Sequence, residues 1–329
     1  MVAVKPIGRG RNSRVYHVTC DSGRRYAAKF YFRHPLDGRD RLAVEFSSLQ
    51  FLHANGLRSV PQPIKADPEG GFAIYEYVDG DVVPSSTVTL VEIDGAVGFL
   101  AALRALRDQD GSRAFGSASE ACFSVRAYVQ SIERRLGRLP NGPGSTAAHT
   151  ALRRFLDGAF VPSFQRIMRW VQASLERWAI AYDEELGQEE QTLSPSDFGF
   201  HNALRRGGQL VFLDFEYFGW DDPAKMGADV LLHPAMALDQ DLKRRFVAGL
   251  RAHFGHRVAK RLEIVYPLCG LKWSLILLNE FVPQDSLRRD FAQTTPQDLR
   301  DVQMEQLAKA RQMLSTVMQD YERFPYSRA

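Results

Sequence analysis

T-L-S-P-S-D-F-G-F-H-N-A-L-R-R-G-G-Q-L-V-F-L-D-F-E-Y-F-G-W, residues 192–220, is the stretch whose reading decides the fold. Two short apolar runs, Ala203-Leu204 and residues 210–213, flank Arg205-Arg206-Gly207-Gly208. Apolar runs around a Gly-Gly turn signal predict a β-hairpin. Asp197 and Asn202 stand just before the hairpin and Asp214 just after it, so it can bring three polar side chains to one end. Two carboxylates and an amide oxygen converging there can hold Mg²⁺ and still leave one carboxylate to take a proton. The plain alternative is an Asp and an Asn that cap turns.

The order D-x-x-x-x-N (Asp197, Asn202), D-F-E (Asp214-Phe215-Glu216) and Gly219-Trp220-Asp221-Asp222-Pro223 resembles the catalytic and metal loops of the protein-kinase-like fold. The wording is closest to its small-molecule branch, the aminoglycoside, choline and homoserine phosphotransferases. The resemblance implies an α+β, two-lobe fold: a small β-rich N-lobe with one key helix over residues 1–80, and a larger, mainly α-helical C-lobe over 81–329. It also implies ATP and Mg²⁺ as cofactors and a small-molecule hydroxyl as acceptor. Asp197 would meet the attacking hydroxyl, and Asn202 and Asp214 would hold the metal. Glu216 could touch metal water or acceptor. Where the family usually carries His, two residues before the Asp, this chain has Pro195; that His mainly supports loop geometry.

The first 80 residues supply the other half of such a site. Pro6 to Val18 spaces Gly8, Gly10, Asn12 and Ser13 between two strand-like runs. Glycine allows close backbone approach, so amide N–H groups can face phosphate oxygens, although any hairpin can carry two glycines. Ser13 stands where a third glycine is usual, and the small-molecule branch commonly shows G-x-x-N here. Lys29 lies in a predicted strand, residues 25–32, at the position of the family's nucleotide-phosphate Lys; otherwise it is a solvent-facing strand residue. Residues 39–54 have helical periodicity, with Leu42, Phe46, Leu49 and Leu52 recurring. Glu45 falls on the inward face with Leu49 and Leu52, and an inward carboxylate needs a partner. Lys29 is the partner the kinase-like template requires; a solvated helix edge is the alternative. After a strand over 72–77, Glu76-Tyr77-Val78 matches by position the hinge whose backbone reads the adenine edge.

Composition bounds the rest. The chain has 329 residues, 45% hydrophobic and 25% charged, and a net charge of +3, ordinary values for a globular protein with a sizeable core. The charge is too small, and the arginines too scattered, to argue for nucleic acid or an anionic membrane. Cys20, Cys122 and Cys269 fit neither a zinc site nor a disulfide framework. The start M-V-A-V-K-P-I-G has no apolar leader region. The most apolar stretch, 264–282, contains Pro267, Lys272 and Glu280, and predicts a buried helix rather than a membrane span. A cytoplasmic protein of undefined oligomeric state is expected.

Further helices are predicted over 90–107, 122–139, 147–182, 240–253, 261–281 and 296–323, with another starting at Asp222-Pro223 as N-cap and first residue. Asp229 lies inside that helix and is assigned a structural role on the catalytic loop. His233 reads as a packing residue. The acidic stretch 183–190 reads as a solvated loop, or as an acceptor-site wall if the acceptor is cationic. The leading function is therefore an ATP- and Mg²⁺-dependent kinase of a small-molecule hydroxyl. A non-catalytic nucleotide-binding pseudokinase and AMP transfer from the same site are the alternatives.

Overall fold

The computed structural model describes residues 3–9, 13–33, 38–140, 146–282 and 299–326. Its first part is a five-stranded antiparallel sheet of β1 (Ala3–Arg9), β2 (Ser13–Thr19), β3 (Arg25–Tyr31), β4 (Pro63–Asp67) and β5 (Phe72–Glu76), in the order β1-β2-β3-β5-β4. The two faces divide by alternation. On the outer face Phe30 stacks on Phe72 at 4.9 Å, with Tyr16 edge-on. On the inner face Lys29 and Tyr31 reach helix α1 (Arg41–Ala54). Asp40 caps that helix by accepting the Ala43 N–H at 2.9 Å. Leu42, Glu45, Leu49 and Leu52 form its buried stripe.

The chain then crosses to the hairpin. Strand β6 (Asp81–Val82) pairs with β8 (Ala203–Arg206), which pairs with β9 (Gln209–Phe212) around Gly207 and Gly208, both at positive φ. That is the turn conformation a Gly-Gly hairpin favours. At the crossing the backbones run close: a Cβ on Gly80 would lie 2.8 Å from the Arg205 carbonyl oxygen. Two ion pairs fasten the hairpin to its neighbours, Arg206 to Glu76 at 2.7 Å and Arg205 to Glu92 at 2.8 Å. Strands β7 (Thr192–Ser194) and β10 (Gly219–Asp221) pair with each other, so the segment carrying Asp197 and Asp214 is closed at its base.

The remainder is helical: α2 (Leu90–Ala105), α3 (Val125–Arg138), α4 (Ala147–Phe155), α5 (Val161–Trp178), α6 (Pro223–Leu232), α7 (Gln240–Phe254), α8 (His256–Ile276) and α9 (Leu299–Asp320). The single helix expected over 147–182 is broken by a π-helical turn, Leu156–Phe160, and ends where Ala179 takes a left-handed φ. Asp222 does cap α6, accepting the Ala224 N–H at 2.8 Å, with Pro223 first in the helix. The apolar α8 packs against α3, α5, α6, α7 and α9, so its hydrophobicity serves the core. It starts at His256, earlier than the expected Arg261, because its polar first turn carries no apolar period. The expected start of α9 lies outside the described residues.

Candidate active site

Lys29 is the junction of the site. Its Nζ donates to Glu45 Oε2 at 2.6 Å and to Asp214 Oδ1 at 2.7 Å, joining β3, α1 and the end of the hairpin. Burial pushes the Lys29 ammonium toward losing its proton, but Asp214, Glu45 and Glu216 outweigh that and hold its pKa well above the ordinary value. Lys29 therefore stays charged at any working pH. The inward face argued for Glu45 is the observed one, and Glu45 is tied further than expected. Its Oε2 accepts from the Tyr31 hydroxyl at 2.9 Å, its Oε1 from the Phe215 N–H at 3.3 Å, and Tyr31 in turn meets Tyr75 at 2.6 Å. Glu216, expected to touch metal water or acceptor, offers a carboxylate oxygen within 4.8 Å of those of Glu45 and Asp214. It is buried beside two cations, 3.9 Å from Lys29 and 3.7 Å from Arg41, and acts within the ion-pair cluster.

Of the expected phosphate loop, Gly8 lies in β1 opposite Val15 and Ser13 begins β2 as a buried residue; Gly10 and Asn12 lie outside the described residues. Glu76 does not offer its side chain to a ligand: Oε1 takes Arg206 and its peptide N–H donates to Gln62 O at 2.8 Å. Val78 is buried, and among the described residues nothing hydrogen-bonds its backbone, which leaves that peptide edge open. Sequence reasoning passed over His17. The register pairs Val15 with Lys29 and His17 with Ala27, so His17 shares the inner face. Its ring stacks on Tyr77 at 4.0 Å, and its Nε2 is buried with no hydrogen-bond partner among the described residues. An orphaned buried nitrogen beside an open peptide edge suits a purine ring, which offers donors and acceptors on its own edge.

Asp197 sits on the loop between β7 and a 3-10 turn, Phe200–Asn202. With Pro195 in place of His, the loop is held by its serines. Ser196 adopts a left-handed φ of 67°, takes its N–H to Ser194 Oγ at 3.0 Å and donates its hydroxyl to Ser119 O at 2.7 Å. Asn202 donates its amide to Asp197 O at 3.0 Å and accepts the Leu213 N–H on its own carbonyl at 2.8 Å, which ties the loop to the residue before Asp214. Asp214 has a φ of 65°, an uncommon conformation for a residue with a side chain, at the point where β9 ends. Asn202 Oδ1 and the Asp214 carboxylate are hard oxygen donors of the kind Mg²⁺ takes, so the donor chemistry fits that ion.

Two histidines converge on Asp197. His201 Nε2 lies 3.2 Å and His233 Nε2 3.5 Å from the same Oδ1, and their rings stack at 4.0 Å. Burial pushes the Asp197 carboxyl up, but the His201 hydrogen bond and both imidazoles outweigh it, leaving the carboxyl below its ordinary range. It is ionised at neutral pH, ready to accept a proton. His233 is thus a direct neighbour of the Asp197 carboxylate and not only a packing residue. Asp229 is corrected too: it holds Lys225 at 2.9 Å and Trp273 Nε1 at 2.9 Å instead of the catalytic-loop backbone. The acidic stretch 183–190 pairs outward, Asp183 with Arg126 at 2.9 Å and Glu190 with Arg257 at 3.1 Å.

Residues 3–264 match the model of the phosphotransferase enzyme family. No curated protein sequence matches the chain. Among solved structures, choline kinase from Cryptosporidium parvum superposes with a TM-score of 0.61 at 12% identity, covering 97% of this chain and 90% of that one. Choline kinase LicA from Streptococcus pneumoniae gives 0.58 at 15% identity, covering 95% and 94%. Spectinomycin phosphotransferase APH(9)-Ia, in complex with ADP and spectinomycin, gives 0.60 at 10% identity, covering 93% of each chain. At these identities the likeness speaks to the fold, which is the two-lobed α+β kinase-like one.

Proposed function

The chain belongs to the phosphotransferase enzyme family, and from that premise we propose that it moves the γ-phosphoryl group of ATP to a hydroxyl of a small molecule, with Mg²⁺. The observation that carries the reading is Lys29, bonded at once to Glu45 and Asp214 on either side of the cleft. A cation fixed between two carboxylates from separate elements is a preorganised seat for phosphate oxygens. Residues 1–80 form the nucleotide lobe and residues 81–329 the catalytic and acceptor lobe. Backbone around Gly8 to Ser13 covers the phosphates, and Val78 with His17 meets the base. Asn202 and Asp214 would hold Mg²⁺, which when bound would neutralise phosphate charge.

Asp197 takes the proton of the acceptor hydroxyl as its oxygen bonds to the γ-phosphorus and the bond to the ADP oxygen breaks. The acceptor is a sugar, aminoglycoside or amino alcohol; the choline kinases and the spectinomycin phosphotransferase among the solved relatives support that range. The three cysteines, unpaired with one another, suit the reducing cytoplasm, where ATP is at hand. The test is nucleotide turnover with Mg·ATP against a panel of such alcohols, reading ADP and pyrophosphate separately. ADP with one acceptor class supports the reading. Pyrophosphate moves the site to AMP transfer, and no turnover with any acceptor or with water leaves a pseudokinase.

The Lys29–Glu45 contact gives a second test. Lys29→Met and Glu45→Gln should each lower kcat/KM for ATP, and the double variant should lose little more than the worse single, as residues of one network do. Fully additive losses would show that the two act separately.

A further inference from the structure

Asp197, His201 and His233 present three ligand-type atoms within 4.8 Å of one another, an arrangement that resembles a metal site with two imidazoles and a carboxylate. The hydrogen bonding argues otherwise. The Ala235 N–H donates to His233 Nδ1 at 3.1 Å, so that nitrogen carries the lone pair and the proton sits on Nε2, facing Asp197. A protonated Nε2 cannot ligate. The two rings stack within 3° of parallel, and both Nε2 atoms meet the same carboxylate oxygen, Oδ1 of Asp197.

His233 is held in this pose from behind. Trp273 packs edge-on against it at 4.7 Å, and Asp229 fixes the Trp273 indole N–H. Asp229 is itself gripped by the buried Lys225. His201 is seated by Gly199, where a Cβ would lie 2.7 Å from the ring. Both histidines act on Oδ1 of Asp197, and among the described residues no hydrogen bond reaches Oδ2.

Taking the phosphotransfer reading as its basis, we propose that His201 and His233 are positioning residues that pin Asp197 through Oδ1 and leave Oδ2 as the atom that takes the acceptor's proton. They do from outside the loop's first turn what the residue at Pro195 cannot. The chain Lys225–Asp229–Trp273–His233 makes α6 and α8 the support of the catalytic carboxylate.

The test uses the full chain with Phe and Gln at each histidine. Phe keeps the ring and its packing but has no donor; Gln returns an N–H near the Nε2 position. Single-turnover ADP release from Mg·ATP is followed with water as acceptor, beside calorimetric Mg·ATP binding. His201→Phe and His233→Phe should each slow release by about 10- to 100-fold, the range for a hydrogen bond to a charged group. Mg·ATP affinity should stay within about threefold, and the Gln variants should recover most of the rate. Phe variants as fast as wild type, or Gln variants no faster than Phe, overturn the proposal. Long-range ¹H–¹⁵N spectra of the wild type give a reading that no folding defect can mask. His233 should be the Nε2–H tautomer, and an Nδ1–H tautomer overturns its role as donor. Asp197→Asn separates the two levels: if it releases ADP at the wild-type rate, the reading of Asp197 as proton acceptor fails, whatever the histidine variants do.

Discussion

Asp197→Asn is expected to lower turnover by roughly 10²–10⁴-fold, the usual share of general acid–base catalysis, while Mg·ATP binds nearly as in the wild type. The substitution keeps the side chain's size and an oxygen able to accept from His201, so the loop has no reason to move. What holds Asn202 is the backbone carbonyl of residue 197, which the change leaves in place. Lys29 donates to Glu45 and Asp214 and not to the Asp197 side chain, so the phosphate seat stays as it is. Only the capacity to take a proton goes. Calorimetric Mg·ATP titration beside single-turnover ADP release separates binding from chemistry. Wild-type turnover with the true acceptor would remove Asp197 from the catalytic role.

The parts of this site that the sequence reveals are those set by local spacing. Glu45 could be placed on the inner face of α1 from its distance to Leu49 and Leu52, and an inner-face carboxylate needs a cation; the observed contact with Lys29 follows from that rule. The hairpin was legible because Gly207 and Gly208 punctuate two apolar runs. The histidines were not. His201 lies within the D-x-x-x-x-N spacing as an unmarked residue, and His233 reaches Asp197 only because α6 ends in a turn that His233 itself bonds. Tyr75 pairs with Ala27 on the inner face, and its hydroxyl meets that of Tyr31 beside Glu45, a contact between strands that no local pattern fixes. The π turn Leu156–Phe160 escaped for a related reason: apolar residues continue through it, and an added residue per turn barely disturbs the period. Asp229 was recognised as a buried carboxylate in need of donors, but its donors come from its own helix and from α8, elements whose packing angle the sequence does not state.

Asp214→Asn should behave differently from Asp197→Asn, and the contrast tests the division of labour. Asparagine is among the residues that accept a left-handed φ, so the backbone at 65° is retained. The Asp214 side chain is 31% exposed, and Lys29 keeps Glu45 and Glu216 as counter-charges, so the fold should lose little stability. The loss falls on ligand binding. An amide in place of the carboxylate weakens the hard-anion half of the Mg²⁺ donor pair, and it leaves Lys29 a neutral oxygen where it had a charged partner. Mg·ATP affinity should therefore drop, and turnover at saturating nucleotide should fall by roughly 10²–10³-fold, the scale of losing one preorganised electrostatic group. Raising free Mg²⁺ should restore part of the binding, since a weakened site fills by mass action, and should restore less of the rate, because the charge lost beside Lys29 is not replaced. If Asp214→Asn binds Mg·ATP as tightly as the wild type, Asp214 is a partner of Lys29 alone, and the metal would have to rest on Asn202 with other oxygens of the nucleotide.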